Sequence, residues 1–126
     1  MELHGRQKQN KRTAIYFNFV EEKFAFLFCT DIASRGMDFP QIDWVLQFDC
    51  PEDIETYIHR VGRTARYKSK GNGLLFLSNS EAEFVKKLEQ KKIELKLLKS
   101  NPKKCLTIKN ALSRLNAENQ DLKYLA

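Results

Sequence analysis

The sequence predicts an α/β fold built on a parallel sheet with covering helices, and three observations predict it. Three short apolar runs, residues 24–29, 44–48 and 74–77, have the length and composition of strands. Stretches with helical spacing alternate with them. Turn residues stand between, at Pro40, at Pro51 and around Gly71 and Gly73. Strand and helix alternating in this way is the pattern of strands joined by crossover helices.

The elements follow in order. Leu3, His4 and Gly5 read as a strand end turning into a loop. Ile15, Phe19 and Val20, with Tyr16 and Phe17 alongside, predict a helix over residues 8–22. Residues 24–29 are apolar throughout, as expected of a strand covered on both faces. Phe17, Phe19, Phe24, Phe26 and Phe28 are therefore assigned to packing. The second strand, 44–48, ends at Asp49, Cys50 and Pro51. Asp53 is placed to cap a helix running to about Val61, which Gly62 weakens. Residues 67–73 form a basic turn region before the third strand, 74–77. Ser80 and Glu83 have capping-box spacing ahead of a helix carrying Phe84, Val85 and Leu88. Lysines crowd residues 86–109, Pro102 interrupts, and a last amphipathic helix is expected over 106–115.

At 126 residues the chain is one domain at most, with a modest core. Its net charge of +6 points to an acidic partner, nucleic acid first, or to a solvated lysine-rich surface. The cysteines, Cys29, Cys50 and Cys105, form no CxxC, and no histidine pair has metal spacing. Cys29, ending an apolar run, reads as a buried small hydrophobe, and an odd count without a framework fits a reducing compartment. No apolar run approaches a membrane span, and the N-terminus lacks the apolar region of a secretory signal.

Two stretches carry chemistry. TDIASRGMDFP, residues 30–40, follows an apolar strand. Ligands in open α/β sheets sit beyond the carboxyl ends of strands, which puts Thr30, Asp31, Arg35 and Asp38 where a site is expected. HRVGRTAR, residues 59–66, places three arginines and a histidine within eight residues. Such a cluster either faces an anion, for which the guanidinium fork is suited, or forms an exposed basic loop.

These two strings resemble motif V and motif VI of the DEAD-box RNA helicases. The resemblance implies a RecA-like (P-loop NTPase-type) parallel sheet with helices on both faces, truncated at its N-terminus and followed by a helical C-terminal extension. It implies that residues 1–92 are a partial second RecA-like domain (motifs IVa, V and VI) and that 93–126 begin the extension. Arg63 and Arg66 are implied to reach the nucleotide phosphates as arginine fingers, and Asp38 to meet the ATP ribose. Thr30, Arg35 and Gly36 are implied to contact the RNA backbone. So are Gly5, Gln9 and Arg12, which match the family's HG…QxxR segment; a solvated helix start remains the alternative for these three. His59 and Arg60 are implied to hold the domain interface together. Asp31 is either an orienting residue that pairs with neighbouring arginines or a structural cap.

No GxxxxGK[ST] loop, Asp-Glu-Ala-Asp string or Ser-Ala-Thr string is present in the sequence. In the resembled family these belong to the first RecA-like domain, which would bind most of ATP with Mg²⁺. That missing N-terminal RecA-like domain is an implied partner, as is RNA. The chain alone is expected to show negligible ATPase activity and weak RNA binding, and a truncated sheet is expected to expose an apolar edge. Residues 44–53, Arg66 with Tyr67, and the stretch from Asn101 and Pro102 through Asp121, Leu122 and Lys123 further resemble a nucleolar group of these helicases. That group acts in small-subunit ribosome assembly around U14 small nucleolar RNA and pre-18S rRNA, alongside assembly proteins. The resemblance thus implies a structured pre-rRNA or snoRNA duplex as substrate, and the nucleolus as site. The alternative is a non-catalytic RNA- or protein-binding module on the same scaffold. The pair Arg63 and Arg66 favours the enzyme, because a scaffold has no need of a γ-phosphate sensor.

Overall fold

A computed structural model describes residues 1–34, 37–40, 42–64, 70–99, 101, 103 and 107–118. Arg35, Gly36, Arg66, Tyr67, Lys68, Cys105, Leu106 and the segment 119–126 therefore lie outside the described residues. The chain packs as two units, Met1–Leu95 and Lys96–Ala126.

The first unit contains two parallel two-stranded ladders. In one, β1 (Glu2–Leu3) pairs β2 (Phe28–Cys29), with Leu3 opposite Cys29. Helix α1 (Gln9–Glu21) is the crossover between them. In the other, β3 (Trp44–Gln47) pairs β4 (Asn72–Leu75), with Trp44 opposite Asn72 and Gln47 opposite Leu75. Here the crossover contains α2 (Ile54–Val61). An isolated parallel bridge joins Ile42 to Thr64.

Each ladder has its own core. Leu3, Ala33 and Phe39 are buried beneath α1, which contributes Ile15, Tyr16 and Phe19. Phe39 receives the edges of both Tyr16 and Phe19, at centroid distances of 5.4 and 5.8 Å. The second core is Tyr57, Phe84 and Leu88, joined by Cys50, Ile54, Val61, Leu75 and Ile93. It forms where α2 meets α3 (Glu83–Gln90). Leu3 and Leu88 are wholly inaccessible to solvent, and burying one such side chain contributes roughly 1.5–3 kcal/mol.

Local signals explain the helix limits. Asp53 caps α2, its Oδ1 accepting the Thr56 amide at 2.7 Å, and Gly62 ends it with an amide donated to the Ile58 carbonyl at 2.8 Å. A β-carbon at Gly62 would stand 2.9 Å from that carbonyl oxygen, so only glycine fits without a shift. Ahead of α3 the capping box is formed by Ser78 and Glu81 around a short 3₁₀ turn, not by Ser80 and Glu83.

The stretch 24–29 differs from the expected doubly covered strand. Only Phe28–Cys29 pairs, and Phe24, Phe26 and Phe28 are 87, 80 and 76% exposed. The strand period of two sends Ala25 and Leu27 inward and the phenylalanines to the opposite, exposed face, where the Lys23 ammonium stands over the Phe24 ring at 5.7 Å. Their assignment to packing is corrected accordingly, and Phe17 is also largely exposed. Cys29 is likewise exposed rather than buried. Trp44, Leu46 and Phe48 alternate outward in the same way, with Phe48 against Phe76 at 5.9 Å. The third strand starts at Asn72, two residues before the expected apolar run. In the second unit, α4 (Lys109–Glu118) starts later than expected and exposes Leu112 and Leu115.

Candidate functional site

The two motif stretches meet beyond the carboxyl ends of β2 and β3. After β2 the chain turns at Thr30, whose amide donates to the Leu3 carbonyl at 3.2 Å, and enters a 3₁₀ turn, Asp31–Ala33. Arg60, in the last turn of α2, reaches across to it. Its Nε donates to Asp31 Oδ1 at 2.6 Å and its Nη2 to Asp31 Oδ2 at 2.8 Å. Its Nη1 donates to the Asp49 carbonyl, just past β3, at 3.1 Å. One guanidinium thus ties the ends of both ladders to α2. The hydrogen-bonded Asp31 carboxylate pushes the Arg60 pKa further up, so the cation is fixed.

Arg63 follows the Gly62 turn. Its Nε donates to the His59 carbonyl at 3.3 Å and its Nη1 to the Met37 carbonyl at 3.1 Å. This brings Arg63 beside the loop that carries Asp38. Thr64, buried, donates its hydroxyl to the Ile42 carbonyl and anchors the chain just past Arg63. His59 sits one turn earlier; its Nε2 is 4.0 Å from Glu55, and its buried Nδ1 has no hydrogen-bond partner among the described residues.

The N-terminal candidates form a second group. Gly5 lies in an exposed loop with open space where a β-carbon would stand. Gln7 shapes that loop: buried, it accepts the His4 amide at 3.1 Å and donates to the Glu2 carbonyl at 3.3 Å. Helix α1 starts two residues later with no side-chain cap, so no cap side chain satisfies its first-turn amides. Gln9 and Arg12 project from this end. Arg12 Nε is buried and has no hydrogen-bond partner among the described residues.

Tyr16 and Gln7 were not singled out by the sequence reasoning. Tyr16 donates its hydroxyl to the Asp38 carbonyl at 2.6 Å. It lines a cleft of about 270 Å³ with Gln9, Thr13, Phe17, Met37 and Asp38. Gln9, Thr13 and Tyr16 have the spacing of one helix face, which is the only trace of this arrangement in the sequence. Another cleft, about 740 Å³, lies along α2 and α3 and includes none of the motif candidates.

These donors and acceptors suit phosphates and hydroxyls: guanidinium edges, uncapped helix amides and an exposed carboxylate at Asp38. Among the described residues no group of three His, Cys, Asp or Glu side chains is arranged to hold a metal ion. No helix among them is long and apolar enough to cross a membrane. Arg35, Gly36 and Arg66 lie outside the described residues.

Comparison with known proteins follows the same lines. The model of the helicase conserved C-terminal domain matches residues 1–68. The chain is 54% identical over 124 residues to the probable ATP-dependent RNA helicase DDX10 of Homo sapiens, covering 98% of this chain and 14% of that protein. It is 55% identical over 126 residues to the ATP-dependent RNA helicase DBP4 of Chaetomium globosum, covering 99% of this chain and 15% of the relative. The chain therefore spans about one seventh of the length of the curated relatives it matches. Among solved structures it is similar to Mss116p DEAD-box helicase domain 2 bound to an RNA duplex. That match has a TM-score of 0.69 and 38% identity, over 82% of this chain and 42% of the other. The fold is accordingly the α/β, RecA-like one of helicase C-terminal domains.

Proposed function

We propose, from the premise that this chain belongs to the family of helicase conserved C-terminal domains, that it forms one wall of the ATP- and RNA-binding cleft of an ATP-dependent RNA helicase. On this reading residues 1–92 are part of the second RecA-like domain and 93–126 begin a C-terminal extension. A first RecA-like domain in the same protein would supply the phosphate-binding loop and the carboxylates for Mg²⁺.

The observation that carries the reading is the joint between the two motifs. Arg60 is bonded in two-pronged fashion to Asp31, and Arg63 is bonded to Met37, so the loop bearing Asp38 and the turn bearing Arg63 are tied together by side-chain hydrogen bonds. A nucleotide held opposite would meet the Asp38 carboxylate at its ribose hydroxyls and Arg63 and Arg66 at its phosphates. ATP with Mg²⁺ supplies the phosphoryl group that is transferred to water. The guanidinium groups stabilise charge on that group as it transfers. Gly5, Gln9, Arg12, Thr30, Arg35 and Gly36 would hold the RNA sugar–phosphate backbone without reading sequence. His59 and Arg60 keep the wall in register with the opposite domain. Cleft closure bends one RNA strand and so opens a short duplex.

The resemblance over residues 44–53 and 101–123 supports work in small ribosomal subunit assembly on pre-rRNA or snoRNA duplexes, in the nucleolus, with assembly proteins as partners. The chain by itself contains no phosphate-binding loop and is proposed to be inactive as an ATPase.

The test is Arg63→Ala and Arg66→Ala, each in the longest protein that contains this chain. RNA-stimulated ATP turnover is expected to fall by about 10³–10⁵, while RNA binding stays within about twofold. Turnover close to the unsubstituted protein's would defeat the assignment.

A further inference from the structure

We infer that Tyr16 is a positioning residue that couples RNA bound at the start of α1 to the nucleotide-facing loop at Met37 and Asp38. The inference rests on the reading above, in which Gln9 and Arg12 meet RNA and Asp38 meets the ribose.

The geometry that carries it is a two-sided clamp. Met37 and Asp38 are adjacent, and their carbonyls accept from opposite elements: Met37 from Arg63 Nη1 at 3.1 Å, Asp38 from Tyr16 Oη at 2.6 Å. One hold comes from the arginine turn after α2 and the other from α1. Tyr16 is fixed in turn by its ring, which meets Phe39 edge-on at 5.4 Å and Phe17 at 5.4 Å. Phe39 is buried, and the Tyr16 ring packs against the first core through it. Gln9 and Arg12 lie two turns and one turn earlier on the same helix as Tyr16. A rigid helix is the physical link: a shift of its N-terminal end on meeting a phosphate backbone is passed to the Tyr16 hydroxyl, and from there to the backbone of Asp38. The adjoining cleft, lined by both Gln9 and Asp38, lies along this same path. Coupling of this kind is reciprocal, so nucleotide at Asp38 must tighten RNA at α1 by the factor with which RNA tightens nucleotide.

The experiment compares Tyr16→Phe with the unsubstituted full-length protein that carries this chain. Phenylalanine keeps the ring and its packing and removes only the hydroxyl. RNA affinity is measured with and without a non-hydrolysable ATP analogue, and the ATP KM and kcat are measured at saturating RNA. The nucleotide-induced tightening of RNA binding is expected to shrink by about threefold to tenfold, with ATP KM rising by a similar factor. RNA affinity without nucleotide and kcat are expected to stay put. A purely structural tyrosine would weaken both ligands alike and leave the nucleotide-induced tightening unchanged. Asp38→Ala is run in parallel. If it raises ATP KM while Tyr16→Phe leaves the tightening unchanged, the coupling role is overturned and the site reading stands. If Asp38→Ala leaves ATP KM unchanged, the site reading falls and the inference with it.

Discussion

Arg60 makes three directional bonds from one guanidinium, two to Asp31 and one to the Asp49 carbonyl. The arginine is mostly covered and Asp31 is half-exposed, so water screens the pair in part. Arg60→Ala is expected to lower stability by about 1–3 kcal/mol. A double-mutant cycle with Asp31→Asn is expected to return a coupling of about 1 kcal/mol, read by urea unfolding. A coupling near zero would mean that the bonds seen here do not hold the two ladder ends together. At this scale the sequence was legible where residue type dictates chemistry. Clustered arginines call for acceptors, and the strand end places them. It was not legible at Tyr16, because helical spacing names a face of α1 but not the loop that the face meets. Gln7 was hidden for a similar reason: nothing in a polar run separates a loop brace from a solvated side chain.

Helix α2 lies on β4 at close range. A β-carbon at Gly73 would stand 2.7 Å from Val61 Cγ2, closer than packed carbons come. Gly73→Ala is therefore expected to destabilise the chain by about 1–3 kcal/mol. Adding Val61→Ala is expected to restore part of the loss, because the second change removes the colliding methyl group. Simple addition of the two losses, measured by thermal unfolding, would show that the helix moves aside freely. Element limits were legible where a cap or a breaker sets them, as at Asp53 and Gly62. They were not legible in residues 24–29, since an unbroken apolar run reads the same whether one face or both are covered. The shift from Ser80 to Ser78 as the capping residue has the same origin: both spacings match a capping box, and the structure forms the earlier one.

The whole chain carries a net charge of +6, and its proposed RNA contacts are backbone contacts. Binding to mixed-sequence single-stranded RNA is expected to weaken with salt, with a log–log slope of about −1.5 to −3. Arg12→Ala is expected to make that slope shallower by about 0.7, one phosphate's share. Anisotropy titrations at several salt concentrations measure this, and a flat salt response would remove the phosphate reading of the α1 end. Alternation of strand and helix made the fold class legible, while the division into two ladders with separate cores was not, because pairing partners lie far apart in sequence. That distance has a kinetic consequence. The Arg60–Asp31 bond closes a span of 29 residues, and both ladders pair strands across an intervening helix. No hairpin is available to nucleate either ladder. Chain entropy must be spent on long loops before any ladder bond is returned. Refolding is then governed by docking of preformed helices, on the millisecond-to-second scale of non-local topologies rather than the microseconds of helical bundles. During that interval the phenylalanines at 24, 26 and 28 meet water and other chains alike, which makes crowding at the moment of synthesis the hazard this architecture carries.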